Sequence, residues 1–115
     1  MFGLAVKMYK AFQNSWKGMK YAYSSEWTFR LELAILIISF PLAFMISSNQ
    51  IERILMLSAI MLIIIIELIN TAIETTVNRI SRDPHELSGL AKDMASGAML
   101  FAIANAVITW SLILL

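Results

Sequence analysis

Apolar and polar positions follow two rhythms along this chain. From Leu4 to Tyr23 they sort by helical period: Leu4, Ala5, Met8, Tyr9, Phe12, Trp16, Met19 and Tyr23 fall on one half of a helical wheel, and Lys7, Lys10, Gln13, Asn14, Lys17 and Lys20 on the other. Aromatic residues opposite lysines predict an amphipathic helix over 4–23 that lies on an anionic leaflet. Beyond it the rhythm is one of long apolar runs. Leu31 to Ile46 is apolar apart from Glu32 and Ser39, with Pro41 inside it, and a start near Trp27 or Thr28 extends it toward the ~20 residues that a span requires. Ile54 to Ile66 is apolar except for Ser58, and the helical pattern continues to Val77. Met94 to Leu115 carries no charge. The expected architecture is an all-α membrane protein in one unit, 1–115, with a surface helix and transmembrane helices over about 28–47, 54–77 and 94–115.

The polar punctuation sets the joints. Ser24-Ser25 ends the first helix and offers a cap to the next, and Ser47-Ser-Asn-Gln50 reads as a turn. Asp83-Pro84-His85-Glu86 reads as a helix start, with Asp83 as N-cap, Pro84 in the first helical position and Glu86 closing a capping box. A helix from there to Leu115 would be about 48 Å long against a hydrocarbon core of about 30 Å, so His85 to Asp93 should stand outside the lipid. Ala95, Ser96, Gly97, Ala98, Ala102, Ala104 and Ala106 would allow close packing of that helix.

Hydrophobic residues make up 59 % of the 115-residue chain, with a mean hydropathy of +0.74, which excludes an ordinary soluble domain. The net charge of +1 is uninformative, but its placement is not. Of nine basic residues, only Arg53 lies on the far side of the spans. Lys7, Lys10, Lys17, Lys20, Arg30, Arg79, Arg82 and Lys92 share the other, which predicts a cytoplasmic N-terminus and an external C-terminus. The absence of cysteine excludes thiolate metal sites and thiol nucleophiles. Nothing points to a nucleic acid partner.

The stretch Glu67-Leu-Ile-Asn70-Thr-Ala-Ile-Glu74 sits at the end of the second span. Glu67, Asn70 and Glu74, at i, i+3 and i+7, share one helix face. A carboxylate inside a span is expensive and marks a functional site by default, although a polar seam between helices is the simpler use of Asn70. Two acids near a helix C-terminus are also disfavoured by its dipole, and a divalent cation would reverse that penalty. The helix starting near Pro84 turns its positive end to the same side, with Lys92 two turns in, an arrangement favourable to a phosphate. Phosphoryl transfer to something in the bilayer, ion transport through Glu67 and a structural seam all fit these residues. No Gly-rich phosphate loop or kinase catalytic-loop motif is present, and the single His85 cannot build a zinc site.

The Glu67…Asn70…Glu74 block, followed by His85-Glu-Leu-Ser-Gly89 and Ala91-Lys-Asp-Met94, resembles the prokaryotic diacylglycerol kinase family. The resemblance extends over nearly the whole chain, through Ser15-Trp-Lys-Gly18, Glu26, Phe29-Arg30 and Glu32 to Ala106-Val-Ile-Thr-Trp110. It implies a three-span inner-membrane homotrimer that moves the γ-phosphate of MgATP to the primary hydroxyl of diacylglycerol, giving phosphatidic acid. It implies Glu67 as general base and Glu26 and Glu74 as ligands of Mg²⁺. Lys92, Asp93, His85, Glu86, Lys7 and Asn14 would meet ATP. Ser15, Trp16, Phe29, Arg30, Glu32, Glu67 and Ser96 would border the lipid, with Asn70 in support. Four positions depart from the family pattern: Lys7 stands for Arg, Asn14 for Tyr, Leu31 for Gln and Asn78 for Asp. The alternatives are a polyprenol kinase of the same family, acting on a lipid such as undecaprenol, and a small oligomeric proton or cation transporter.

Overall fold

Between Phe2 and Leu114 the described residues leave the helical state at three points: Glu26, the turn 47–49 and the loop 81–85. The computed structural model describes residues 2–115, and the three breaks divide them into α1 (Phe2–Ser25), α2 (Trp27–Ile46), α3 (Gln50–Ile80) and α4 (Glu86–Leu114). Three of these, α2, α3 and α4, are long and apolar enough to cross a membrane. The helix α2 runs through Pro41 without a break, as spans tolerate when neighbouring groups satisfy the freed carbonyl. The helices α1 and α3 extend at both ends beyond the boundaries expected from sequence, whereas α2 begins and ends one residue earlier and α4 begins before its span and ends at Leu114.

Each joint has its own chemistry. At the first, Glu26 takes an extended conformation (φ −119°, ψ 107°) and becomes the N-cap of α2, a place the sequence offered to Ser24 or Ser25. The Ser24 hydroxyl instead donates back to the Tyr21 carbonyl at 2.9 Å. Arg30 crosses the joint: its guanidinium donates to the Tyr23 carbonyl at 2.7 Å and sits 5.9 Å from the Tyr23 ring centroid, so it closes the C-terminus of α1.

The second joint is a polar knot. The Asn49 side chain caps α3 by accepting from the amides of Ile51 (2.8 Å) and Glu52 (3.2 Å). Ser47 donates to the Glu52 carboxylate at 2.5 Å and accepts from the Asn49 amide at 3.0 Å. Arg53 donates to the Ser47 carbonyl at 2.8 Å and lies 4.3 Å from the centroid of the Phe44 ring. At the third joint the expected capping box does not form. Asp83 precedes a proline, which disfavours helical geometry, and α4 begins two residues later than Pro84. His85 is the N-cap, its Nδ1 accepting from the Leu87 amide at 3.1 Å.

The helix α3 is the centre of the bundle and packs against the other three. Toward α1 and α2 the core is Ala22, Phe29 and Ile64, with Leu33, Leu36 and Leu68 around it. Toward α4 it is Ala59, Ile60 and Ala106, with Ile63 and Trp110. Ala95, Ala102 and Ala106 are the buried positions of α4, so the small residues do set its contact face. The Trp110 indole donates to the Met56 carbonyl at 3.0 Å and fixes the level of α4 against α3. Large apolar side chains such as Ile37, Leu100 and Phe101 point outward, as lipid demands. Along α1 only Ala22 is buried, which leaves Phe12, Trp16 and the rest of the apolar face uncovered by this chain.

Candidate functional site

Glu67 lies where α1, α2 and α3 meet. The preceding apolar run carries it into the bundle, and its neighbour on that face, Ile64, belongs to the core with Ala22 and Phe29. The residue is only 7 % exposed. Thr28, on the first turn of α2, donates its hydroxyl to Glu67 Oε1 at 2.7 Å. Glu32, one turn further along α2 on the same stripe, is half-buried, and its Oε2 has no hydrogen-bond partner among the described residues. Two carboxyls and a hydroxyl therefore converge at one level of the bundle, and an unpaired carboxyl oxygen there is costly unless a ligand meets it.

Beside this junction, α1 and α3 enclose an open groove of about 570 Å³. Ser15, Gly18, Met19 and Ala22 line it from α1, and Leu68, Thr71, Thr75 and Thr76 from α3. The Thr75 and Thr76 hydroxyls donate back to the carbonyls of Thr71 and Ala72. Ser15 does the same toward Ala11. The groove wall is thus mainly apolar, suited to an acyl chain or a lipid backbone.

Glu26 is half-buried at the α1–α2 joint and, although it is the N-cap, its side chain makes no capping hydrogen bond. Glu74 is exposed two turns from Glu67, about 10 Å along the α3 axis. Among the described residues, no group of three metal-ligating side chains converges within the single chain. Hard cations take one or two carboxylates and complete their shell with water and phosphate oxygens, so Glu26 and Glu74 are of the right chemical type. Asn70 is half-buried between the two α3 acids.

The other candidate residues gather at the α3–α4 loop. Arg82, His85, Ser88, Gly89 and Lys92 border a small concavity of about 210 Å³. Lys92 Nζ donates to Asn78 Oδ1 across the two helices at 3.0 Å. Asp93, Glu86 and Ser96 are exposed on α4, and Lys7, Asn14 and Trp16 on α1. Phe29 is 2 % exposed and packs in the core, because α2 turns that face toward Ile64. Two contacts were missed in the sequence. Asn78 is a partner of Lys92, and Thr28 a partner of Glu67; the one available signal was that Thr28 stands four residues before Glu32, on the same helical stripe.

A helical bundle with three helices long and apolar enough to cross a membrane, a buried carboxylate in one of them and a basic loop at its end belongs to the class of integral membrane proteins. The profile of the prokaryotic diacylglycerol kinase family matches residues 13–114. A diacylglycerol kinase of Escherichia coli (strain K12) is 44 % identical over 108 residues, covering 94 % of this chain and 88 % of that protein. One of Haemophilus influenzae is 42 % identical over 100 residues, 87 % of this chain and 85 % of the relative. One of Pseudomonas aeruginosa is 40 % identical over 98 residues, 85 % and 80 % of the two chains. The chain belongs to the prokaryotic diacylglycerol kinase family.

The His85 cap generates a local prediction. Replacing His85 with Ala removes the acceptor for the Leu87 amide, a loss of about 1 kcal/mol at an N-cap. Hydrogen exchange at Leu87 should speed up about fivefold, with exchange in the spans unchanged.

Proposed function

We infer that the chain is a diacylglycerol kinase, transferring the γ-phosphate of ATP to the primary hydroxyl of a membrane diacylglycerol to give phosphatidic acid and ADP. The observation that carries this reading is kinship over 94 % of the chain with a diacylglycerol kinase, in a protein whose three apolar helices place it in a bacterial membrane. The site geometry supports it, since the polar junction at Glu67 adjoins an apolar groove that begins at Leu68, and a basic loop follows at the end of α3.

In the proposed reaction the substrate oxygen forms a bond to the γ-phosphorus as the bridging bond to ADP breaks, and Glu67 receives the hydroxyl proton. Such a transfer depends on placement and on charge stabilisation more than on covalent chemistry. Lys92 steadies the phosphates, with Asp93, His85, Glu86, Lys7 and Asn14 bordering the nucleotide. Ser15, Trp16, Arg30, Glu32 and Ser96 border the lipid. Glu26 and Glu74 would hold Mg²⁺, which neutralises phosphate charge when bound. The basic residues clustered at this end support a cytoplasmic N-terminus and an active site at the cytoplasmic interface. The uncovered apolar face of α1 and the charges near Glu67 support a homotrimer, in which further copies shield what one bundle leaves open.

Purified protein in mixed micelles should transfer labelled phosphate from ATP to diacylglycerol, and transfer to undecaprenol alone would assign it to the other lipid class. In the same assay Glu67→Gln, folded by its elution profile and melting curve, should lose about 10²–10⁴-fold in kcat. Near wild-type turnover would remove Glu67 as the base. Glu26→Gln and Glu74→Gln should each raise the Mg²⁺ concentration for half-maximal activity by about tenfold or more, a magnitude in line with loss of one ligand or its support. Unchanged Mg²⁺ titrations would release both from metal binding. Native mass spectrometry of the active protein should give three copies, and an active monomer would overturn the assembly.

A further inference from the structure

We propose that Thr28 is a positioning residue for the phosphotransfer, holding one oxygen of Glu67 so that the other faces the lipid hydroxyl. The inference rests on the reading of Glu67 as base and adds to it a residue that the sequence marked only as the edge of a span.

The hydrogen bond from Thr28 Oγ1 to Glu67 Oε1, at 2.7 Å, has the length of a charge-assisted O–H···O contact and joins α2 to α3 across 39 positions of sequence. Both ends of it are stiff. Thr28 is β-branched, so its side chain has few rotamers, and its neighbour Phe29 is locked into the core against Ala22 and Ile64. That core contact fixes the rotation of α2 and aims the stripe Thr28–Glu32 at α3. The carboxylate it holds is otherwise loose, because the terminal torsion of Glu is broad and roughly twofold. Glu32, on the same stripe as Thr28, leaves its Oε2 unpartnered and supplies no hydrogen bond to Glu67. A single donor on Oε1 counters that looseness. It leaves Oε2 to receive the proton, in an orientation set before substrate arrives. Placement at this level matters because small misplacements of a reacting group cost rate out of proportion to the binding they lose.

The test compares Thr28→Val, which keeps the shape and removes the hydroxyl, with Thr28→Ser, which keeps the hydroxyl. In mixed micelles Thr28→Val should lower kcat by about 10- to 100-fold and leave KM for diacylglycerol and for MgATP within about twofold. Thr28→Ser should recover most of the loss, and melting curves of both should match the parent. In a Glu67→Gln background Thr28→Val should cost nothing more, as residues acting as a unit are not additive. Equal losses in Val and Ser variants, or a loss that follows melting temperature, would overturn the positioning role. If Val destabilises the protein, Thr28→Ala with the same Ser comparison decides it by the same criteria. Full activity of Thr28→Val beside an inactive Glu67→Gln would overturn the role of Thr28 alone and leave the base in place. An active Glu67→Gln would remove both.

Discussion

Hydrocarbon supplies no hydrogen bonds, and the rest of this structure follows from that constraint. It is why the described chain is helical at all but a few residues, and why each interruption is chemically closed. Asn49 and His85 cap the helices that follow them, while Arg30 and Arg53 reach back to the carbonyls of the helices that precede them. The same rule governs the interior. The hydroxyls of Ser39 and Thr75 return to carbonyls one turn earlier, and Trp110 finds the Met56 carbonyl on the neighbouring helix. Among the described residues, the fully buried side-chain oxygen left without a partner is Glu32 Oε2, beside Glu67, and such an atom carries information.

Depth organises the site. Glu67 sits inside the bundle against a core of Ala22, Phe29 and Ile64, whereas Glu74 is exposed two turns away on the same helix. In the proposed reaction a substrate hydroxyl carried by a lipid and phosphates carried by water would approach from opposite sides of that interval. The long α3 spans both environments in one rigid rod, so the geometry between them needs no hinge. The loop after α3 and the first turns of α4 then place Lys92 within reach of Asn78, holding the lysine against the end of α3.

Much of this was legible from sequence because the signals were long. Runs such as Ile54–Ile66 fix the number of spans, and a carboxylate that follows such a run is buried by its neighbours. The joints were less legible. Asp83-Pro84 reads as a helix start by composition, yet the proline restricts the residue before it and His85 offers the better-placed acceptor. Contacts between helices were invisible for a different reason. Thr28 and Glu67 are 39 residues apart, and which face α2 turns to α3 is decided by Phe29, whose burial no local pattern revealed.

The knot between α2 and α3 has a consequence for biogenesis. With the N-terminus cytoplasmic, as proposed above, the turn that joins these two helices would be carried across the hydrocarbon while the chain is being inserted. Glu52 and Arg53 are the charged residues on it, and they are of opposite sign, so the cargo is neutral overall. In the folded turn the carboxylate is already bound to Ser47, and the guanidinium to the Ser47 carbonyl and the face of Phe44. A hairpin that forms this turn early would translocate with its ions pre-solvated by its own backbone rather than stripped of water.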